Sequence, residues 1–289
     1  IQSHNKAPAY FREFTNKYFK NFVKVLINED KSVYEMFVDK CLKDLCTSDI
    51  DTSLLTCVDK FYIFVCLRAY NIGQTLELVT ENKEGTKVNF ELDMNDIVVP
   101  IEEANLEHNF TLTDGTVIVE CSLPKKLFFN DIYDMFKDCI NTIKFKGDVI
   151  ILREVPEKDK DNIMSSIPSV IMTDLLTKLQ QQDKILQQII LINFDTEQEL
   201  STQKEISISF FNQSIPELIK LIFNTNLKDF YINEYHLIRR FKFSYDFINQ
   251  VTPAELNVYQ TIIAADVRKE QEDQEKQEQQ QQGASPLPG

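Results

Sequence analysis

The stretch from Cys57 to Leu92 constrains the fold more than any other part of the chain. Residues 61–67 are apolar almost all round a helix, which is typical of a helix buried on every side. Thr56 stands where an N-cap residue is favoured, and Gly73 stands where a helix can end. Two short runs of alternating apolar residues follow around the turn ENKEG and predict a β-hairpin. We therefore expect a buried helix that carries a hairpin at its carboxyl end.

The same order of elements recurs in the second half of the chain. A helical pattern begins at Thr173, which stands where a cap is expected. Residues 189–194 and 205–211 then alternate as strands around the polar turn TEQELSTQ. Helix followed by hairpin thus occurs at 56–92 and again at 173–211. A diverged duplication and two unrelated units both fit this pattern.

Further helices and hairpins account for the rest of the chain. Apolar residues at helical spacing predict N-terminal helices over 15–27 and 32–46. Asp114-Gly115 lies between two alternating runs, which is a strong hairpin signal, and residues 143–151 have the pattern of another hairpin. The C-terminal part has helical periodicity, and Thr252-Pro253-Ala254-Glu255 has the sequence of a helix start.

These patterns place the chain in the α+β class, with N-terminal helices, two helix-plus-β-hairpin units and a C-terminal helical region. We predict an N-terminal helical and β-hairpin domain over 1–153 and a charged, solvated linker over 154–168. The second helix–hairpin unit and the C-terminal helices then occupy 169–268. For the Gln- and Glu-rich tail, 269–289, we expect disorder or a frayed helix.

Composition argues against several classes of function. A net charge of −14 disfavours nucleic acid as the main partner, because binding phosphates needs a positive field. No apolar run reaches the ~18 residues that cross a bilayer, so we expect no membrane span. The 6 cysteines are scattered without a Cys-x-x-Cys pair, and the chain has only 3 histidines. We therefore expect reduced, buried thiols and no metal site.

The sequence offers no set of residues for catalysis. It contains no glycine-rich phosphate loop, no His-Glu-x-x-His and no Gly-x-Ser-x-Gly. Asp93, Asp96, Glu102 and Glu103 do not have the spacing of an EF-hand, so we interpret them as part of a solvated loop. For His108, which opens a strand, a surface or cross-strand role is expected. We predict no catalytic residue, no metal ligand and no cofactor.

Several stretches in order resemble one known family, the small baseplate hub and hub-assembly proteins of T-even-type contractile-tailed bacteriophages. The resemblance extends over about residues 10–265. The stretches that carry it are CLRAYNIGQTLEL with the hairpin after it, TLTDGTVIVECSLP, KDCINTIKFKGDVIIL, the hairpin that ends in Phe210-Phe211, and YHLIRRFKFSYDFINQVTPAELNVYQTII.

The resemblance implies a protein of tail morphogenesis that is not an enzyme and that binds hub or tape-measure components. Such a protein acts in the host cytoplasm during assembly, as a chaperone does, or stays in the baseplate of the virion tail as a structural subunit. An enzyme, such as a hub-associated hydrolase, and a cellular adaptor without a phage connection are the alternatives from other classes. Relatives that carry Cys-x-x-Cys near the hairpin turns suggest a zinc knuckle. This chain lacks those cysteines, so we predict no zinc.

The two hairpins and the C-terminal helices are the candidate contact surfaces, because tyrosine and arginine are enriched at protein interfaces. The candidate residues are Arg68, Tyr231, Tyr235, His236, Arg239, Arg240 and Tyr259. For Arg68, at the end of the buried helix, the alternative is an internal role in capping carbonyls. For the other six, the alternative is a place in the core or flank of a helical bundle.

Overall fold

A computed structural model describes residues 8–28, 30–81, 86–193, 205–223 and 225–283. The helices are α1 (Asn16–Ile27), α2 (Lys31–Leu45), α3 (Cys57–Asn71), α4 (Asn95–Glu103), α5 (Ile132–Cys139), α6 (Glu157–Ser166), α7 (Ser169–Gln187), α8 (Ser214–Ile222), α9 (Leu227–Arg239), α10 (Tyr245–Gln250) and α11 (Pro253–Gly283). The strands are β1 (Thr75–Glu81), β2 (Lys87–Asp93), β3 (Asn109–Thr113), β4 (Val117–Ser122), β5 (Ile140–Phe145), β6 (Asp148–Ile151), β7 (Ile190–Asn193) and β8 (Glu205–Ser207). Short 3₁₀ helices cover Thr52–Leu54 and Leu152–Glu154. The α+β prediction is confirmed.

The strands form antiparallel sheets with the orders β1-β2, β3-β4-β5-β6 and β7-β8. The hairpins predicted at Asp114-Gly115 and over 143–151 are confirmed as β3–β4 and β5–β6. What the sequence did not predict is that they join into one sheet, through the pairing of β4 with β5. Val119 and Cys121 are buried on the inner face of this sheet, whereas Ile118 faces solvent.

The predicted buried helix is α3. Phe61, Phe64 and Val65 are almost inaccessible to solvent, as expected for a helix that is apolar all round. A capping box begins the helix: the Asp59 amide donates to Thr56 Oγ1 (3.2 Å), and the Thr56 amide donates to Asp59 Oδ2 (3.0 Å). The prediction of this cap from the sequence is confirmed.

Phe223, just after α8, lies at the centre of the main hydrophobic cluster. Its ring centroid is 4.8 Å from that of Phe22 on α1 and 5.9 Å from that of Phe64 on α3. The cluster runs from Phe14 to Phe223 and includes residues on both sides of the predicted linker. The domain boundaries themselves stay predictions.

The C-terminal helices have a small cluster of their own. Leu237, Ile248 and Leu256 are buried together in it. The predicted helix start is confirmed as a second capping box, in which the Thr252 amide donates to Glu255 Oε2 (2.8 Å) and the Glu255 amide donates to Thr252 Oγ1 (3.2 Å). This region therefore packs largely as a separate layer against the body of the molecule.

Two predicted loops are helical. Residues 157–166 form α6, whose Met164 is buried while its charged residues reach solvent. The acidic stretch after β2 forms α4, which buries Ile97 and Ile101 four residues apart. The loop predictions were wrong because one or two buried apolar residues suffice to anchor a short helix, and because Pro100 lies inside α4.

Two predicted boundaries also need correction. The second helix begins at Ser169, after Pro168, and not at Thr173. The strand predicted to reach residue 211 ends at Ser207, because the buried carboxylate of Asp183 accepts the Phe210 amide at 2.8 Å and bends the chain into a turn.

The expectations for the tail and for the hairpin turns have different outcomes. Helix α11 continues to Gly283, which is the helical one of the two alternatives expected for the tail. Residues 284–289 lie outside the described residues. The same holds for 82–85, which contain most of the predicted turn ENKEG, and for 194–204, which contain all of the predicted turn TEQELSTQ.

Candidate partner-binding surface

One side of α9 exposes apolar and aromatic side chains to solvent. We call Tyr231, Ile232, Tyr235, Ile238 and Arg239 the tyrosine face. Tyr231 is 41% exposed and Tyr235 is 52% exposed, and both isoleucines are also solvent-accessible. Tyr231, Tyr235 and Arg239 follow each other at intervals of four residues and so lie on one stripe of the helix. Large rings exposed along one stripe are the composition of a protein interface.

Cations border the tyrosines of this face. The guanidinium of Arg239 lies 5.6 Å from the ring centroid of Tyr235, and its Nη1 donates to the Tyr235 hydroxyl. The ammonium groups of Lys20 and Lys24 lie 5.5 and 5.8 Å from the ring centroid of Tyr231. These cation–π contacts restrict the rings, so less conformational entropy is lost when a partner covers them.

A buried ion pair fixes α9 on the body. Lys20 Nζ on α1 donates to both carboxylate oxygens of Glu234, at 2.8 and 3.0 Å, and both side chains are buried. Asn16 adds two contacts nearby. Its backbone amide donates to the Val251 carbonyl at 2.8 Å, and its side-chain Nδ2 donates to the Ile248 carbonyl at 3.0 Å. The orientation of the tyrosine face is thus set by these polar contacts together with the packing of Leu227 and Phe230 against the main cluster.

His236, Tyr259 and Arg240 lie elsewhere on the C-terminal helices. His236 lines a groove of about 430 Å³ between α9 and α11, with Leu237 and Ile263 among the apolar residues beside it. Tyr259 packs against the rings of Phe243 and Phe247, and Arg240 lies over Phe241. Much of the Tyr259 side chain is therefore packed within the helical bundle, as the alternative interpretation expected, and the rest of it is exposed.

Arg68 has an internal role in the structure. The side chain is 5% exposed, and its Nε donates to the Ile222 carbonyl at 2.8 Å. Its other nitrogens donate to the carbonyls of Gly73 and Thr75. Burial lowers the pKa of Arg68. The residue ties the end of α3 to the start of β1 and to the end of α8, so we leave it out of the candidate surface.

Thr56, Asp59 and His108 bring together the residue types of a catalytic triad. All three are buried, and His108 Nδ1 lies 3.3 Å from Thr56 Oγ1 and 3.8 Å from Asp59 Oδ2. The threonine hydroxyl, however, caps α3 and donates to Asp59. Substrate has no access to it, so the arrangement joins α3 to β3. His108 therefore has an interior role against the N-terminus of α3, and the expectation of a surface or cross-strand role was wrong for its side chain.

Other reactive groups are also placed for packing. All 6 cysteines are free, and burial raises the pKa of Cys41 and of Cys121 to about 12, which keeps these thiols protonated. Among the residues that the structure describes, no group of three or more His, Cys, Asp and Glu side chains is placed to hold a metal ion. None of the described helices is both long and apolar enough to cross a membrane.

The body of the molecule matches a known family. Residues 3–212, well over half of the chain, match the family model described as T4 bacteriophage base plate protein. The chain belongs to this family. No curated protein and no solved structure matches it. The matched part of this baseplate protein includes the elements from α1 to β8, and it ends before α8. The tyrosine face and the groove therefore lie beyond the matched part, while Arg68 lies within it.

Sequence reasoning found part of this surface and missed part of it. It selected Tyr231, Tyr235 and Arg239, which the structure brings together on one stripe. It missed Ile232 and Ile238, because an isoleucine in a helical pattern is more often buried than exposed. The four-residue interval between Tyr231, Tyr235 and Arg239 was the available signal that these side chains share a face.

Proposed function

We propose that this baseplate protein binds another component of the baseplate hub, or the tape-measure protein, through the tyrosine face of α9. The observation that carries the proposal is the stripe of exposed Tyr231, Tyr235 and Arg239, flanked by two exposed isoleucines. Tyrosine and arginine are the side chains that most often dominate binding energy at interfaces. The Lys20–Glu234 pair supports the proposal because it holds the stripe in one orientation before binding.

In this proposal the protein acts through contacts and not through catalysis. The set of Thr56, Asp59 and His108, which has the composition of a triad, is buried and committed to helix capping. The proposed site of action is the host cytoplasm during tail assembly, followed in the second version of the hypothesis by a permanent place in the virion baseplate. A cellular adaptor role has no observation in its favour, since the chain belongs to a baseplate family.

Co-purification with defined partners tests the proposal. The chain is co-expressed with each hub protein and with the tape-measure protein of the same phage, and the complexes are quantified after affinity purification. Tyr235→Ala is expected to weaken the complex by about tenfold or more, because truncating an interface anchor costs about 2 kcal/mol. Tyr70→Ala is the matched control, since Tyr70 lies on α3 in the body and is 72% exposed. Equal binding by both variants would contradict the proposal.

Mass spectrometry of purified virions separates the two versions of the role. An assembly factor is present in extracts of infected cells, in complex with its partner, and absent from mature tails. A structural subunit is present in mature tails in a fixed ratio to other baseplate proteins. Detection at such a ratio would rule out a purely transient assembly role. It would not decide whether the tyrosine face binds the partner, which the co-purification experiment tests.

A further inference from the structure

The strand β6 is an open edge of the four-stranded sheet. In the order β3-β4-β5-β6, β5 is its one neighbour among the strands that the structure describes. The turn between these strands has two residues, Lys146 and Gly147, both with positive φ, and Phe145 lies opposite Asp148. In a hairpin with a two-residue turn the pair next to the turn is hydrogen-bonded, and bonded pairs alternate along the strands.

This alternation fixes which backbone groups of β6 point outwards. Asp148 and Ile150 bond to β5, so the amide and carbonyl of Val149 and the amide of Ile151 point away from the sheet. In the described part of the chain, no backbone hydrogen bond from outside the ladder reaches these groups. Val149 is 57% exposed and Ile151 is 38% exposed. Sheet edges are commonly protected by lysine or proline, and neither lies within this strand.

A charged cleft begins at Ile151 and runs between the sheet and the helices α2, α3, α5 and α6. Its volume is about 670 Å³. The cations that line it are Lys60, Lys125, Lys126, Lys137, Arg153 and Lys160, and the acids are Glu35, Asp39, Asp134, Asp138 and Glu157. Cations thus outnumber acids here, six to five, although the whole chain has a net charge of −14. Asp51 and Asp161, which pair with Arg153 and Lys137, bring the cleft close to neutral. An anionic group therefore meets less repulsion here than elsewhere on this acidic chain.

Two cations at the rim, Arg153 and Lys160, pair with exposed acids. Arg153 Nη1 lies 3.2 Å from Asp51 Oδ2, and Lys160 Nζ lies 2.8 Å from Glu157 Oε2. Both acids are at least half exposed. Ion pairs of this kind stabilise a protein by about 0–1 kcal/mol, so a carboxylate from a ligand can replace the present partner at little cost.

The interior of the cleft contains polar groups that are already desolvated. Lys60 is buried, and its Nζ lies 2.6 Å from Oδ1 of Asp39, whose side chain is half exposed. Ser122 is buried as well, and no described residue pairs with its hydroxyl. The hydroxyl is enclosed within the wall of the cleft, so it adds to the desolvated polar interior and is not itself a contact for a ligand.

We propose that β6 and this cleft together bind an extended acidic segment of a partner protein. The segment adds to the sheet as a strand beside β6, bonding the outward backbone groups of Val149 and Ile151. Its carboxylates enter the cleft near Arg153 and Lys160. The open edge favours a polypeptide over a small anion, because only a polypeptide provides amides and carbonyls at the spacing of a strand. The site lies within the part of the chain that matches the family and is separate from the tyrosine face.

Fluorescence anisotropy with short synthetic peptides tests this proposal on the full chain. The probe is a labelled peptide in which valine and glutamate alternate, and its companion has lysine in place of glutamate. The glutamate peptide is expected to bind about tenfold more tightly than the lysine peptide, because only its charges complement the rim of the cleft. No binding of the glutamate peptide, or equal binding of both peptides, would overturn the proposal.

Two variants test the edge and the cleft separately. Val149→Pro removes an outward amide without removing a ladder bond, so the sheet is expected to survive while peptide affinity falls about tenfold. Val149→Thr, which keeps the amide, is its control. Arg153→Glu is expected to weaken the glutamate peptide alone, whereas Lys184→Glu on α7 leaves it unchanged. Thermal unfolding confirms that each variant is folded. Wild-type affinity in a folded Val149→Pro protein would show that the edge is not used and would reject the proposal, whatever the tyrosine face does.

Discussion

The body of this baseplate protein and its C-terminal helices are stabilised in different ways. In the body, one hydrophobic cluster joins elements from α1 to the residue after α8, and its aromatic rings meet around Phe223. In the C-terminal helices the buried cluster centres on Leu237, Ile248 and Leu256, and much of the apolar surface of α9 is exposed. The region with the smaller core also exposes two tyrosines and two isoleucines along one side of α9. In the proposed function, the body is the scaffold and α9 is the binding element.

The largest expected effect comes from the centre of the body. Phe223→Ala should lower the free energy of unfolding by about 4 kcal/mol, because it removes a buried ring that contacts α1 and α3 at once. The loss is expected across the whole chain, since the C-terminal helices rest on the body. Chemical denaturation measures it. Tyr10→Ala, at an exposed site, is the control that should leave stability nearly unchanged.

The ion pair between the two regions is expected to have the next largest effect. Lys20→Ala leaves the carboxylate of Glu234 buried and unpaired, which should cost about 3 kcal/mol. Hydrogen exchange should show faster exchange in α9, α10 and α11, with α3 still protected. A double variant with Lys20→Met and Glu234→Leu should recover most of the loss. If hydrogen exchange became faster to the same extent in the body and in the C-terminal helices, the two regions would not be stabilised separately.

The same substitution in two capping boxes compares the regions directly. Thr252→Ala should destabilise α11 by about 1 kcal/mol, which is the usual effect of losing a cap. Thr56→Ala should cost more, about 2 kcal/mol, because this hydroxyl is fully buried and also lies beside His108. Denaturation midpoints of the two variants measure the difference. Equal costs would contradict the distinction between the cap in the body, which also lies beside His108, and the cap outside it, which does not.

Acid is expected to weaken the body more than the C-terminal helices. Burial lowers the pKa of His108 in the folded state, and the charge of Asp59 acts in the opposite direction. The unfolded chain therefore binds a proton near the ordinary histidine pKa of about 6.5, and stability falls as the pH decreases through that value. Between about pH 7.5 and about pH 5.5 the wild type should lose up to about 1 kcal/mol more than His108→Gln.

Comparing that loss between the wild type and the variant isolates His108. Burial raises the pKa of Glu35, which has the opposite effect on stability in acid, but Glu35 contributes equally to both proteins. If the His108→Gln protein loses as much stability as the wild type, the imidazole is not the group that titrates.

The features that the sequence predicts well are those with a local cause. The capping boxes at Thr56 and Thr252 need residues only three positions apart, and the turns at Asp114-Gly115 and Lys146-Gly147 need only their own backbone conformations. The features that it misses depend on contacts between distant parts of the chain. No pattern in the sequence around Phe223 predicts that its ring fills the space between α1 and α3.

The same limit applies to the binding surfaces. Residue type and spacing selected Tyr231 and Tyr235, but exposure decides whether a tyrosine is a contact or part of a core, and exposure depends on the packing of α9. The charged cleft combines residues from position 35 to position 160, which no local pattern connects. The burial of Arg68 has the same origin, since one of its acceptors is the carbonyl of Ile222.

Complementation of a phage that lacks this gene tests the central claim most directly. The double variant Tyr235→Ala with Arg239→Ala removes the tyrosine face while leaving the Lys20–Glu234 pair intact, and Tyr70→Ala is the control. Electron microscopy of the infected cells scores complete baseplates. The account predicts complete baseplates with Tyr70→Ala and few or none with the double variant, provided that both proteins are folded and equally abundant. Normal numbers of baseplates with the double variant would contradict the claim that the C-terminal helices carry the essential binding surface.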